Sequence, residues 1–533
     1  MTIPRRDAVL LVALWSAATA IALAVRPPIS PDETRYLGVA WDMWSRGDFL
    51  VPHLNGAPYS DKPPLLFWLF HLGWALGGVS ETWPRLIGPL FALASAFLLI
   101  PMARRLWPDR PVAGWAATLA LPGTLGWTIY GSFVLFDMLL TVGVLVALIG
   151  VLDVWRGRGL RGWLLCGVGL GWALLSKGPV ALLHVLPVPL LAPLWMREGR
   201  PARWGAWYAG VGLAFLVGVT MVLAWAVPAG LAGGQAYRDA IFLRQTADRM
   251  VSGAAHGRPV WWYLPVIPLL LLPWVLWPAA WRAVASTRRL TTESSVRLCL
   301  TWGTVVLIAF ALISGKQAHY LLPAVPVLAL LWDRGWAAVR DEGRGLSLLL
   351  PASFLAVTGI AAGLAPHLPG LERQVPWIGG IRLGPAVLLV MSAGAVALAG
   401  PRIPRTRLPL LVTAAGLTLT ALLHMAVMPA LRPSFDVTPV ALELRHYQQD
   451  GYDIAHVGKY NAQWHFAARL TEPFAVVADT ADARRWQADH PRSVMISYAR
   501  TGQAPAREAA GQRCSPFRDR LVCLAVADSA KGP

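Results

Sequence analysis

Apolar runs of about 17–22 residues recur along the chain, separated by short polar links. As a helix, each run is long enough to cross a hydrocarbon layer roughly 30 Å thick. In order they predict about thirteen spans, near 8–25, 84–103, 111–130, 138–155, 163–175, 179–195, 206–227, 261–281, 298–314, 320–338, 346–365, 383–400 and 408–428. The run 163–175 is short for a full crossing, which points to a protein-lined cavity beside it. A long mixed segment, 26–82, separates the first two runs. Within it, Glu33–Ser45 and Leu65–Gly77 predict interfacial helices that follow prolines and are too short to span. Tyr237–Met250 predicts another amphipathic helix. From about Arg432 the pattern changes to strand-like runs (AHVGKY, FAVVAD, SVMISY, LVCLAVA) alternating with helix-like stretches at Thr438–Asp450 and Ala481–His490. The expected architecture is a polytopic α-helical membrane domain, 1–431, followed by a small α/β domain, 432–533.

Composition sharpens this picture. The 533 residues are 56% hydrophobic and only 14% charged, too few charges to cover a water-soluble protein of this length. The net charge of +18 sits in links such as Arg104–Arg105, Arg156–Arg161, Arg197–Arg203, Arg282–Arg297 and Arg402–Arg407. That is the positive-inside pattern of a membrane protein and not a nucleic-acid footprint. It places the N-terminus in the cytoplasm and the C-terminal domain outside. The first run follows Arg5–Arg6, and PPISPDE after it is a poor cleavage site, so it reads as a retained anchor. Cys166 and Cys299 lie in apolar runs and read as packing residues. Cys514 and Cys523 lie in the external tail, where they form a disulfide or remain two free thiols. No Walker-type phosphate loop, HExxH zinc motif or pair of matching broken spans occurs, which argues against ATP-driven transport, a zinc protease and an inverted-repeat transporter.

The remaining polar residues are unevenly placed. Under the topology above, Asp32 to Arg35, Asp61–Lys62, Asp137, Ser176–Lys177, Arg249 to Arg258 and Lys316 to Tyr320 all fall on the external side. One external cavity lined by acids and cations accounts for them. The stretch Arg26–Trp68 is its densest part. It reads as a reaction centre in which Asp32 faces a nucleophile and Arg35 and Lys62 hold an anion; the other reading is a solvated loop of self-paired charges.

PDETRY (31–36) and GDFLVPHLNGAPYSDKPPLLFW (47–68) resemble the first external loop of the bacterial lipid A 4-amino-4-deoxy-L-arabinose transferase family. That family belongs with the protein O-mannosyltransferases among the polyprenyl-phosphate-dependent type C glycosyltransferases. LSKGP (175–179), HGRPVWWYLP (256–265) and KQAHYLLP (316–323) resemble later motifs of the family in the same order. The resemblance implies an inverting membrane glycosyltransferase of the bacterial inner membrane, with its active site and C-terminal domain in the periplasm. Its donor would be an undecaprenyl-phosphate-linked sugar and its acceptor lipid A phosphate. Transfer to protein hydroxyls or a surface glycan is the alternative acceptor reading, and a lipid-linked sugar flippase the alternative class.

The resemblance also implies roles. Asp32 matches the catalytic carboxylate. Asp137 matches a second external-loop acid, or is a helix N-terminal carboxylate favoured by the dipole. Lys62, Arg35 and Arg258 would neutralise the carrier phosphate, lysine as a point charge and arginine as a fork. Lys177 and Lys316 would add phosphate contacts or snorkel to the interface. Tyr320 would donate a hydrogen bond to that phosphate or belong to the interfacial aromatic belt. Asp61 stands where the family usually carries Glu. Asp61 and His256 are candidates for a divalent ion (zinc, or magnesium or manganese), with a hydrogen-bonded, metal-free His256 as the other reading; no cofactor is expected to be required. The expected partners are the lipid-linked sugar, the acceptor and membrane lipids, with no nucleic acid.

Overall fold

A computed structural model of the chain describes residues 5–110, 112–244, 257–339, 347–503, 507 and 511–528. In chain order, α1 (Arg5–Val25) and α2 (Asp32–Arg46) lead to a short hairpin of β1 (His53–Leu54) and β2 (Ala57–Pro58). The longer helices that follow are α3 (Leu65–Gly77), α4 (Thr82–Leu106), α5 (Asp137–Asp153), α6 (Gly159–Lys177), α7 (Trp204–Ala232), α8 (Ser294–Leu312), α9 (Leu349–Leu364), α10 (Leu383–Ala399) and α11 (Leu408–Phe435). The tail holds α12 (Thr438–Gln449), β3 (Asp453–Val457), β4 (Ala475–Val477), α13 (Thr480–Asp489), β5 (Arg492–Ala499), β6 (Arg513–Phe517) and β7 (Arg520–Asp528).

Among the described residues, eight helical runs are long and apolar enough to cross a membrane, and one of them, Asp137–Lys177, holds both α5 and α6. The stretches expected to span near 111–130, 179–195, 261–281 and 320–338 form helix only in pieces, such as Trp115–Ala120, Val180–Val185, Tyr263–Leu270 and Val325–Trp336. Prolines are the cause: Pro122, Pro179, Pro187, Pro189, Pro193, Pro265, Pro268, Pro273, Pro278, Pro323 and Pro326 all fall in these stretches. Each removes a backbone donor and clashes with the preceding turn. Of the helix expected at Tyr237–Met250, Gly234–Asp239 is α-helix and Ala240–Arg244 a wider turn; the remainder lies outside the described residues.

Two compact units make up the chain. The first comprises Met1–Ala24, Ser60–Leu66 and Arg85–Val427; the second comprises Val25–Tyr59, Phe67–Pro84 and Met428–Pro533. The division differs from the expected cut at 431, because most of the 26–82 segment packs with the tail. Asn55 accounts for part of this. Its side-chain amide donates to Phe474 O (2.9 Å) and accepts from Phe474 N–H (2.8 Å). Trp41 Nε1–H donates to Leu470 O (2.7 Å), and the Trp74 ring stacks on Phe466 at 5.5 Å.

The second unit contains a five-stranded sheet in the order β4-β3-β5-β7-β6. β4, β3 and β5 are parallel; β7 and β6 run antiparallel. Val440, Ala441 and Leu444 of α12 pack with Ile454, Val494, Ile496, Val522 and Leu524, while Ala483 of α13 packs with Ala455, Val477 and Met495. β6 escaped the sequence pattern because RCSPF carries a proline, which an edge strand tolerates. Cys514 and Cys523 face each other across β6 and β7 and are joined as a disulfide.

Candidate active site

In the first unit, the chain reverses between α5 and α6 at Gly157, whose φ of +87° suits glycine alone among the common residues. The two helices then pack backbone to backbone. A Cβ on Gly150 would lie 2.4 Å from Cys166 N, and one on Gly169 would lie 2.3 Å from Ala147 N. Small residues allow this approach, as is usual between membrane helices. The hairpin therefore brings the first residue of α5, Asp137, beside the last residue of α6, Lys177. Lys177 Nζ donates to Asp137 Oδ1 at 2.6 Å. Asp137 is 2% exposed.

A third segment meets this pair. The turn Ala318–Ala324 sets His319 Nε2 at 4.0 Å from Asp137 Oδ2 and places the Tyr320 ring 4.7 Å from Lys177 Nζ. Tyr130 packs on His319 at 5.5 Å. Lys62 lies 6.0 Å from the Phe136 ring and acts electrostatically on Asp137. Asp137 thus sits among Lys177, His319 and Lys62, with aromatic rings around them. An incoming phosphate can exchange with the carboxylate for these cations, since charge-assisted hydrogen bonds to phosphate and to carboxylate are alike in geometry.

Two neighbouring segments are stitched together. Gly257 and Gly315 form a β-bridge, and Arg258 N–H donates to Ser314 O (3.1 Å). Lys316 is buried; its ammonium donates to Arg258 O (3.0 Å) and Ile313 O (2.5 Å), so it braces these loops. The Arg258 side chain is exposed. Beyond Tyr320, Leu321 helps line an apolar cavity of about 240 Å³ with Leu271, Leu307, Ala324 and Leu328.

In the second unit, Asp32 opens α2 and pairs with Arg35 one turn on. The next residue behaves differently. Glu33 is buried, pairs with the equally buried Arg26, and accepts from Ile29 N–H (2.8 Å). Asp32 keeps 39% of its side chain exposed, so of the two adjacent acids it is the one open to a substrate. Arg35, expected on the phosphate, is committed to Asp32 in this state.

Asp61 is exposed, and His256 lies outside the described residues. Among the described residues no group of three or more His, Cys, Asp or Glu side chains is arranged to hold a metal ion. Two residues of the cluster were not singled out by sequence reasoning. His319 sits inside the KQAHY motif, beside a residue that was. His184 is fully buried, with Lys177 and Asp137 in electrostatic range, and a lone histidine in an apolar run carries no sequence signal.

Comparison with known proteins gives the chain's family and fold. A family model for dolichyl-phosphate-mannose-protein mannosyltransferase matches residues 61–225. An undecaprenyl phosphate-alpha-4-amino-4-deoxy-L-arabinose arabinosyl transferase of Pseudomonas aeruginosa (strain UCBPP-PA14) is 32% identical over 420 residues, covering 76% of this chain and 72% of that protein. The similarly named protein of Pectobacterium carotovorum subsp. carotovorum (strain PC1) is 31% identical over 355 residues, covering 64% of this chain; the match spans 62% of that relative's length. Among solved structures, ArnT from Cupriavidus metallidurans bound to undecaprenyl phosphate superposes with a TM-score of 0.75 at 20% identity, over 99% of both chains. The chain therefore has that polytopic helical fold, of the type C glycosyltransferase kind, and is a multi-pass membrane protein.

Proposed function

We propose a function from one premise: the chain belongs to the undecaprenyl phosphate-alpha-4-amino-4-deoxy-L-arabinose arabinosyl transferase family. It transfers 4-amino-4-deoxy-L-arabinose from an undecaprenyl-phosphate carrier to a phosphate of lipid A. It does so at the periplasmic face of the bacterial inner membrane, with the N-terminus in the cytoplasm and the 432–533 domain in the periplasm.

The observation that carries this reading is the group of cations around Asp137. The carrier's head is a phosphate and its tail a hydrocarbon. Lys177 and Lys62 offer charge to the head, and the cavity beyond Leu321 offers apolar surface to the tail. During transfer an acceptor oxygen attacks the anomeric carbon from the face opposite the carrier. The carbon–oxygen bond to the carrier phosphate breaks, and its electron pair stays on the phosphate. Negative charge therefore grows on the leaving group, where fixed cations stabilise the transition state more than the ground state. Arg258 and Tyr320 add donors to the same phosphate. A phosphate leaving group needs no strong general acid.

Asp32 has the acceptor's half of the reaction. A lipid A phosphate is already ionised near neutral pH, so Asp32 orients it through Arg35. A hydroxyl acceptor would instead require Asp32 to take a proton.

The test is mass spectrometry of lipid A, surface glycans and membrane proteins from cells with and without this chain. Aminoarabinose on lipid A that depends on the chain supports the reading. The sugar on protein or glycan instead would replace the acceptor, and no change in any fraction would remove the transferase assignment.

A further inference from the structure

The segment before β4 is far from Asp32 in sequence, yet it holds the helix that carries it. α2 is gripped at its middle and lower end. Gly38 lies so close to Ala462 that a Cβ there would sit 2.8 Å from the Ala462 carbonyl oxygen. Trp41 Nε1–H donates to Leu470 O, and Arg469 lies 5.4 Å from the Trp41 ring. Asp42 pairs with Arg46 and accepts from Gly56 N–H at 2.8 Å. Gly56 belongs to the β1–β2 turn, in which Asn55 (φ +54°) and Gly56 (φ +81°) both take the left-handed conformation of an Asn-Gly hairpin. Asn55 in turn grips both main-chain groups of Phe474. The linkage runs from Phe474 through Asn55, Gly56 and Asp42 to α2.

We propose that Asn55 and Trp41 are positioning residues for Asp32, through which the C-terminal α/β fold sets the angle of α2. Asp42 and Asp32 are ten residues apart, about 15 Å along a helix. At that distance a tilt of about 4° moves Asp32 by about 1 Å. A displacement of that size typically costs on the order of a hundredfold in rate. The Asn55 amide is suited to hold the angle, because it presents a donor and an acceptor to one residue as a neighbouring strand would. This inference rests on the reading of Asp32 given above.

The test is a double-mutant cycle on full-length purified protein, with turnover measured at saturating donor and acceptor. Asn55→Asp keeps the left-handed turn and the acceptor oxygen but turns a second oxygen toward the Phe474 carbonyl. Trp41→Phe keeps the ring and loses the N–H; it serves if Asn55→Asp does not fold. Either change should lower kcat by on the order of tenfold or more, with the donor KM unchanged. In the Asp32→Asn background the same change should cost less than about twofold. Equal factors in both backgrounds would overturn the inference, because a purely structural defect acts whatever residue occupies position 32. If Asp32→Asn alone runs at the wild-type rate, the reading of Asp32 itself falls, a distinct result.

Discussion

Asp137 and Asp333 are both buried aspartates of the first unit, 2% and 1% exposed, and both face a cation. Their partners differ in kind. Asp333 accepts from Arg110 Nη1 (3.0 Å) and from the main-chain N–H groups of Gly114 (3.2 Å) and Ala116 (3.2 Å). Main-chain donors cannot swing away without unfolding the turn that carries them. Asp137 meets the end of a lysine, a histidine ring at 4.0 Å and the field of Lys62. Side-chain cations can change partners when an anion arrives. A buried carboxylate is therefore a staple or a working part according to what donates to it, and burial alone does not separate the two.

The largest expected effect is on the staple. Asp333→Ala strands the half-buried Arg110 and two N–H groups and should cost on the order of 3 kcal/mol of stability. Thermal melting would show the loss, while turnover per folded molecule should stay near wild type. A kinetic defect in the folded fraction would erase the contrast.

Asp137→Asn should behave oppositely. It keeps an oxygen for Lys177 and removes the charge that holds the cations, so transfer should fall by about one to two decades with a smaller shift in melting. Steady-state kinetics beside calorimetry would separate the two. Lys62→Ala should lose about 1.5–3 kcal/mol of transition-state stabilisation, and Lys62→Arg should recover part of it. Normal transfer by Lys62→Ala would take Lys62 out of the phosphate site.

The smallest effect belongs to two of the buried histidines of the second unit, His456 and His465, each held by neutral hydrogen-bond partners. His465 donates from Nε2 to Glu472 O and accepts at Nδ1 from Tyr460 OH. His456 donates from Nδ1 to Gly458 O and accepts at Nε2 from Tyr498 OH. Burial pushes both down to about 4 from the ordinary value near 6.5. The unfolded chain then binds protons more readily, so stability is full above about pH 6.5 and falls as pH drops toward about 4. Each histidine should remove on the order of 1.4 kcal/mol by about pH 5.5. A flat melting temperature between those pH values would contradict the burial of both rings.

The two short helices of the 26–82 segment were legible because proline starts and polar flanks mark them: Glu33–Ser45 was expected and α2 spans Asp32–Arg46, and Leu65–Gly77 is α3. Four expected spans were not legible as broken helices, since hydropathy averages over prolines that interrupt the hydrogen-bond ladder. The charged residues of the site could be named, but their pairing could not. Lys177 meeting Asp137 depends on a glycine turn and small-residue packing along the α5–α6 hairpin. Lys316 reads as a cation like any other until its carbonyl partners are seen. The resemblance singles out Asp32, and the pairing of Glu33 with the buried Arg26 is a difference between the two acids that the sequence alone did not show.

The most direct test of the central claim uses purified protein in lipid nanodiscs, supplied with the undecaprenyl-phosphate-linked aminoarabinose donor and lipid A. Product would be followed by mass spectrometry and donor binding measured in parallel. Wild type should add the sugar to lipid A, and Asp32→Asn should bind donor as tightly while losing most turnover. Donor that crosses the bilayer without any sugar transfer, or an Asp32→Asn protein that transfers at the wild-type rate, would contradict it.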